Sequence, residues 1–161
     1  MSNLQGLHFI AGAAETSAGE TFHGVDPVAG HNLEPGYAEA TAVQVERACD
    51  AAAAAAPEFA AAAPSKRAAL LRMIADGLNE LGDDLVNRMH AETALPPARV
   101  QGERARTVMQ LQQYAALLDE GSWVDAHIDH GHPAREPMPK PDLRRMLIPL
   151  GPVAVFGASN F

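Results

Sequence analysis

The chain has 161 residues, with 12 Lys and Arg against 20 Asp and Glu and a formal charge of −8. That is long enough for one ordinary domain with a core. The acidic balance and scattered basic residues argue against a nucleic-acid partner, which needs a clustered basic face. Cys49 is the one cysteine, so no internal disulfide can form. The start, Met1-Ser2-Asn3-Leu4-Gln5-Gly6, lacks the basic and apolar parts of a secretory signal. The alanines of Ala51 to Ala63 are interrupted by Pro57 and Glu58 and are too weakly apolar for a bilayer. No membrane partner and a cytoplasmic home are expected.

Two short strands are expected at Leu7 to Ile10 and Thr21 to Val25, with a turn at Asp26-Pro27-Val28-Ala29-Gly30. From Tyr37 to Ala63 alanine dominates and predicts a helix, broken or bent near Pro57. Pro64-Ser65 offers an N-cap for a second helix. Its apolar stripe is Leu71, Ile74, Leu78 and Leu81, and Gly82 stands at a C-cap position. Asp83 to Glu92 continues with Leu85, Val86 and Met89. Pro96-Pro97 breaks that helix and opens a longer one, with Val108, Leu111, Ala115 and Leu118 as the buried stripe. These leucines and methionines read as core.

After Gly121 the period changes. Trp123 to Ile128 and Leu143 to Ile148 are expected as strands of a long exposed hairpin, with the polar, Pro-rich segment Asp129 to Asp142 between them. Pro149-Leu150-Gly151-Pro152 turns into Val153-Ala154-Val155-Phe156, an apolar run without alternation that suits a strand buried on both faces of a parallel sheet. Gly157 to Asn160 reads as the turn after it. A parallel strand needs a crossover and a neighbour, so the expectation is a truncated chain, the visible part of something longer.

Three constellations could carry chemistry. Asp125-Ala126-His127-Ile128-Asp129-His130-Gly131-His132 is dense enough in imidazole and carboxylate for zinc or nickel. On a strand, however, His127 and Asp129 point one way and His130 the other, so a solvated hairpin tip is preferred and no metal is expected. Cys49 stands in the Ala-rich helix between Arg47 and Asp50 with no His nearby in sequence, and reads as a small apolar residue rather than a nucleophile. Gly151 to Asn160 lacks the G-x-G-x-x-G fingerprint and by itself is weak for a dinucleotide site. Ser159 and Asn160 nonetheless follow the C-terminal end of the expected parallel strand, where open α/β sheets place ligands. An Asn there can donate its amide N–H to developing negative charge.

The string Pro149-Leu150-Gly151-Pro152-Val153-Ala154-Val155-Phe156-Gly157-Ala158-Ser159-Asn160-Phe161 closely resembles the aldehyde dehydrogenase segment that carries the oxyanion Asn. Arg67-Ala68-Ala69-Leu70-Leu71, Ile74-Ala75-Asp76 and Glu92-Thr93 resemble that family's N-terminal helices, and Glu103 with Arg106-Thr107 the next one. The resemblance runs from about Val25 to the end. Most members have Pro-Trp before the Asn, where this chain has Ala158-Ser159. That variant resembles a branch preferring NADP and acting on 2,5-dioxopentanoate (α-ketoglutaric semialdehyde) and on fatty aldehydes, and the dioxopentanoate group is the expected one.

The resemblance implies an α/β fold, with N-terminal strands and helices of the cofactor-binding domain over 1–122. It further implies an oligomerisation hairpin over 123–148, and over 149–161 the first strand and turn of a Rossmann-like sheet. It implies Asn160 as the catalytic oxyanion donor. Phe156, Gly157, Ala158 and Ser159 would lie beside NADP (or NAD), and Phe161 would contact a small-molecule aldehyde. It implies a homo-oligomer, dimer or tetramer. The family's catalytic Cys, general-base Glu and main cofactor-binding Lys and Glu lie beyond position 161, so the chain alone is expected to be inactive. The competing reading is a non-enzymatic helical interaction module, which accounts for the amphipathic helices but not for the apolar run and Asn turn.

Overall fold

The computed structural model describes residues 4–157. The first strand, β1 (His8–Ile10), pairs antiparallel with β2 (Ala13–Glu15), and β3 (Thr21–Val25) pairs antiparallel with β4 (Asn32–Ala38). Both expected strands form, each with its nearest neighbour in sequence. The expected turn forms too: Asp26 Oδ1 accepts from the Val28 and Ala29 amides at 2.8 and 2.9 Å. The sequence hides β4 because it contains Pro35 and Gly36, which disfavour a strand interior. The ladder resolves this with an irregularity: Phe22 faces Tyr37, but Gly24 faces Leu33, leaving Glu34 to Gly36 outside regular register. Phe22 and Tyr37 stack with centroids 5.9 Å apart.

The first helix, α1 (Ala42–Ala61), starts five residues later than alanine content suggests, because β4 occupies Tyr37 and Ala38. Its start is fixed by a capping box. The Thr41 hydroxyl accepts from the Gln44 amide, while the Gln44 side chain accepts from the Thr41 backbone. The helix runs through Pro57 without ending there, and it contains no buried residue.

Helix α2 (Pro64–Glu80) has Pro64 in its first turn and Ala63 as N-cap, so Ser65 is already helical and caps nothing. Leu81 follows, then Gly82 with φ +52, a left-handed conformation that lets α3 (Gly82–Thr93) depart immediately. Ala94 ends α3, and α4 (Pro97–Glu120) begins at the second proline and closes on Gly121. Arg72 Nη2 lies 2.6 Å from Asp119 Oδ2 near one end of the α2–α4 pair, while Leu78 shares a pocket with Arg104 and Thr107 nearer the other. The two helices therefore run antiparallel.

The buried stripe of α2 is not the one that side-chain size suggests. Ala68 and Ala75 are fully buried and Leu71 and Leu78 half-buried, whereas Ile74 and Leu81 are exposed. Facing them, α4 buries Val100, Val108 and Ala115, with Leu111 and Leu118 half-buried. Small side chains at the seam let the helix axes approach, so the larger residues flank the contact.

Beyond α4 a short 3-10 turn (Ser122–Val124) takes the place of the strand start expected at Trp123. The hairpin follows as β5 (His127–Asp129) and β6 (Leu143–Arg145), extended by the His132–Lys140 bridge and by the Leu147 amide donating to Val124 O at 2.8 Å. The expected strand Val153 to Phe156 does not form: the segment after Arg145 has no regular structure, and Val155 and Phe156 are about nine-tenths exposed. A strand exists only where a neighbour satisfies its N–H and C=O groups, and the described residues supply none beside it. Ala75→Leu should overpack the α2–α4 seam and destabilise by about 1–3 kcal/mol. Met73→Ala, on the exposed face, should change stability by no more than about 0.5 kcal/mol. Urea unfolding of the two variants checks the difference.

Candidate functional site

Of the expected site residues, Ala158, Ser159, Asn160 and Phe161 lie outside the described residues. Phe156 and Gly157 lie within them, exposed, with open space where a Gly157 side chain would stand. The structure therefore shows how the chain approaches the motif. Leaving β6, it is held to the 3-10 turn by the Leu147–Val124 hydrogen bond. It turns at Gly151, where φ is +106. Pro152, Val153 and Ala154 then lie along a groove of about 650 Å³ shared with His8 to Ile10 of β1 and with Val45, Cys49 and Ala53 of α1. The path toward Asn160 is thus tied by one hydrogen bond and then runs beside the groove, with Val153 still largely exposed.

That groove depends on how β1, β2 and α1 are tied together, and Gln44 ties them. Besides closing the capping box, its Nε2 donates to Glu15 Oε1 at 3.0 Å and to Thr16 O at 2.9 Å. Its Oε1 accepts from Ser17 Oγ at 2.7 Å. Arg47 pairs with the same Glu15 oxygen. The Gln44 hydrogen bond, with help from the Arg47 charge and hydrogen bond, outweighs desolvation and holds the Glu15 carboxyl below its ordinary range. The Thr41-x-x-Gln44 spacing is the sequence signal for this junction.

A second junction binds β3–β4 to α3. Arg88 Nε lies 2.5 Å from Glu92 Oε1, and Arg88 Nη1 donates to Glu34 O. Gly24 passes so close that a side chain there would come within 3.1 Å of the Glu92 carboxylate. Nothing in the spacing of Gly24, Glu34, Arg88 and Glu92 announces this contact.

Cys49 is exposed on the groove wall. His8 lines the same groove, but its Nε2 is engaged with Ala38 O at 2.9 Å. In the histidine-rich hairpin the charged groups pair across and along the ribbon. His127 Nε2 lies 2.8 Å from Asp125 Oδ1, Arg145 Nη1 donates to Asp125 Oδ2 at 3.4 Å, and Lys140 pairs with Asp129. The hydrogen bond and charge of His127, with Arg145, keep the Asp125 carboxyl below its ordinary range. Among the described residues no three His, Cys, Asp or Glu side chains converge as a metal cage, and no helix is long and apolar enough to cross a membrane.

Comparison with known proteins adds what the geometry alone does not. The aldehyde dehydrogenase family profile matches residues 14–161. Alpha-ketoglutaric semialdehyde dehydrogenase 2 of Azospirillum brasilense is 45% identical over 159 residues, which are 98% of this chain and 30% of that protein. Alpha-ketoglutaric semialdehyde dehydrogenase of Acinetobacter baylyi is 37% identical over 161 residues, the whole of this chain and 31% of that one. The chain thus spans about a third of the length of these curated relatives and corresponds to an N-terminal segment. Among solved structures, a NAD-dependent benzaldehyde dehydrogenase from Corynebacterium glutamicum superposes with a TM-score of 0.72 at 19% identity, covering 84% of this chain and 28% of that one. That likeness carries the fold.

Because the Glu15 carboxyl is lowered in the folded state, its contribution to stability is complete above its ordinary value of 4.5. It is lost as pH falls through the lowered one. Glu15→Gln should flatten the acid limb of the Tm profile between about pH 5 and pH 3. Thr41→Ala should cost about 1 kcal/mol across that range by removing the cap. Thermal unfolding at stepped pH separates the two.

Proposed function

The chain belongs to the aldehyde dehydrogenase family, and we propose that it forms the N-terminal part of an enzyme oxidising α-ketoglutaric semialdehyde to its carboxylate with NADP. The observation carrying the substrate is the 45% identity to the Azospirillum brasilense enzyme over nearly the whole chain. The Ala158-Ser159 pair before Asn160 supports the same branch and its preference for NADP over NAD.

The role of each residue follows from its chemistry. A thiolate beyond position 161 attacks the aldehyde carbon, and negative charge grows on the carbonyl oxygen. The Asn160 side chain is a neutral amide donor four residues past the apolar run. Aimed at that oxygen, it stabilises charge that exists only once attack is under way, and this lowers the barrier rather than merely tightening binding. Phe156 and Gly157 offer exposed backbone and open space. With Ala158 and Ser159 they suit the planar nicotinamide end of the cofactor and supply no cation for its phosphates. The nicotinamide, when bound, provides the hydride acceptor. Phe161 gives the aldehyde an apolar wall.

The remaining parts divide as 1–122 for the cofactor-binding domain's strands and helices, 123–148 for the subunit arm, and 149–161 for the motif strand and turn. The ribbon β5–β6 is exposed on all its residues, and pairing with another subunit would cover its edges. A homodimer or tetramer in the cytoplasm is the proposed state. The helical interaction module of the competing reading is set aside by the family match.

In the longer polypeptide, Asn160→Ala should slow pre-steady-state hydride transfer by about 10²–10³ while leaving cofactor affinity nearly unchanged. Asn160→Asp should be at least as harmful, since a carboxylate repels the oxyanion. Hydride transfer at the parental rate in a folded Asn160→Ala enzyme would sink the assignment. Residues 1–161 alone should form no NAD(P)H from aldehyde. Turnover abolished by Cys49→Ser would count against the proposal.

A further inference from the structure

The Arg67 guanidinium carbon sits 5.7 Å from the Trp123 ring centroid, over the chain's one tryptophan. Arg67 Nε and Trp123 Nε1 are both buried without a hydrogen-bond partner. Among the described residues Arg67 makes no ion pair, whereas its helix neighbour Arg72 has Asp119. Arg67 has no need of this position for solvation: a guanidinium at the start of α2 could reach water. It is held instead against an indole face, where a weakly hydrated planar cation is favoured, and two N–H groups go unsatisfied beside that contact.

What the contact secures is the turn that carries the indole. Trp123 belongs to the 3-10 turn Ser122–Val124, and the carbonyl of Val124 accepts the Leu147 amide. Leu147 thus ties the segment that continues through Pro152 to Ala154 beside the α1 groove and on toward Asn160. An unbroken path runs from α2, through the guanidinium–indole stack, to the turn and the returning strand. The wall beside the indole, made by Leu71, Tyr114, Leu117 and Leu118, is mostly aliphatic and aromatic.

We infer that Arg67 is a positioning residue: its stack on Trp123 fixes the base of the hairpin and thereby the approach of the segment bearing Asn160. The consequence for catalysis rests on the proposed role of Asn160. The coupling from Arg67 to Leu147 does not.

The test uses the longer active polypeptide with Arg67→Met, Arg67→Lys, Trp123→Leu and Trp123→Phe, and the Arg67→Met/Trp123→Leu double variant. Exchange of the Leu147 amide should accelerate in Arg67→Met by about 2- to 30-fold, the range such a contact is worth. Hydride transfer should fall by a similar factor with little change in aldehyde KM. Arg67→Lys and Trp123→Phe should retain most of both, and the double variant should be no worse than the poorer single one. Unchanged Leu147 exchange in Arg67→Met would overturn the inference, as would additive losses in the double variant. Equal losses in the Lys and Met variants would do the same. If Leu147 responds as expected but Asn160→Ala leaves hydride transfer intact, the coupling stands and the assignment of Asn160 falls.

Discussion

The rest of the molecule hangs on the close approach of α2 and α4. Among the described residues, five of the seven buried apolar side chains, Ala68, Ala75, Val100, Val108 and Ala115, lie on this pair. Alanine at the seam contributes little transfer free energy of its own. Its value is geometric, because it brings two backbones near enough for the flanking Leu71, Leu78, Leu111 and Leu118 to pack along the edges. The elements outside this pair bury little: α1 has no buried residue, and β1 contributes Ile10. They are attached by polar contacts instead. Gln44 gathers Glu15, Thr16, Ser17 and Thr41, and Arg88 gathers Glu34 and Glu92.

This division explains which parts of the fold were legible. The helices announce themselves by their period, and Gly82, Pro97 and Gly121 mark their limits by fixed backbone preferences. What periodicity cannot weigh is the value of smallness. Scoring residues by hydrophobicity selects Ile74 and Leu81 for the core, while the packed seam selects Ala68 and Ala75. The strands' partners were hidden for another reason. Leu7 to Ile10 and Thr21 to Val25 are strands by composition, but closing a short loop costs less entropy than a long one. Each therefore takes the partner next to it, and one of those partners carries an unpromising Pro35-Gly36.

The site divides along the same line. Val153 to Phe156 has the composition of a strand buried on both faces, and that composition is sound information about the surroundings it suits. It says nothing about whether neighbours are present, and among the described residues they are not. The proposal for Asn160 rests on the string around it rather than on any spacing of charges. Arg67 and Trp123 were each visible, one as a family-like helix residue and one as a strand start, but only the folded turn brings them together. The histidines drew attention by density. In the structure, however, His127 turns to Asp125 and Arg145 shares that carboxylate.

A single amide donor is useful to catalysis only if it is held where the charge will appear, and displacement by about 1 Å can cost two orders of magnitude in rate. On the role proposed for Asn160, the segment before it has little regular structure of its own, so its precision has to be borrowed. The loan comes from two places: the Leu147–Val124 hydrogen bond on the α4 side, and the groove formed by β1 and α1 around Pro152 to Ala154. The first leads back to the α2–α4 seam through Trp123. The second leads back to Gln44 and its network. On the proposed role of Asn160, packing on one side and hydrogen bonding on the other form a frame for the chain that leads to its side-chain amide. Ala75 and Gln44, which touch no substrate in that reading, would then act on the reaction through geometry alone.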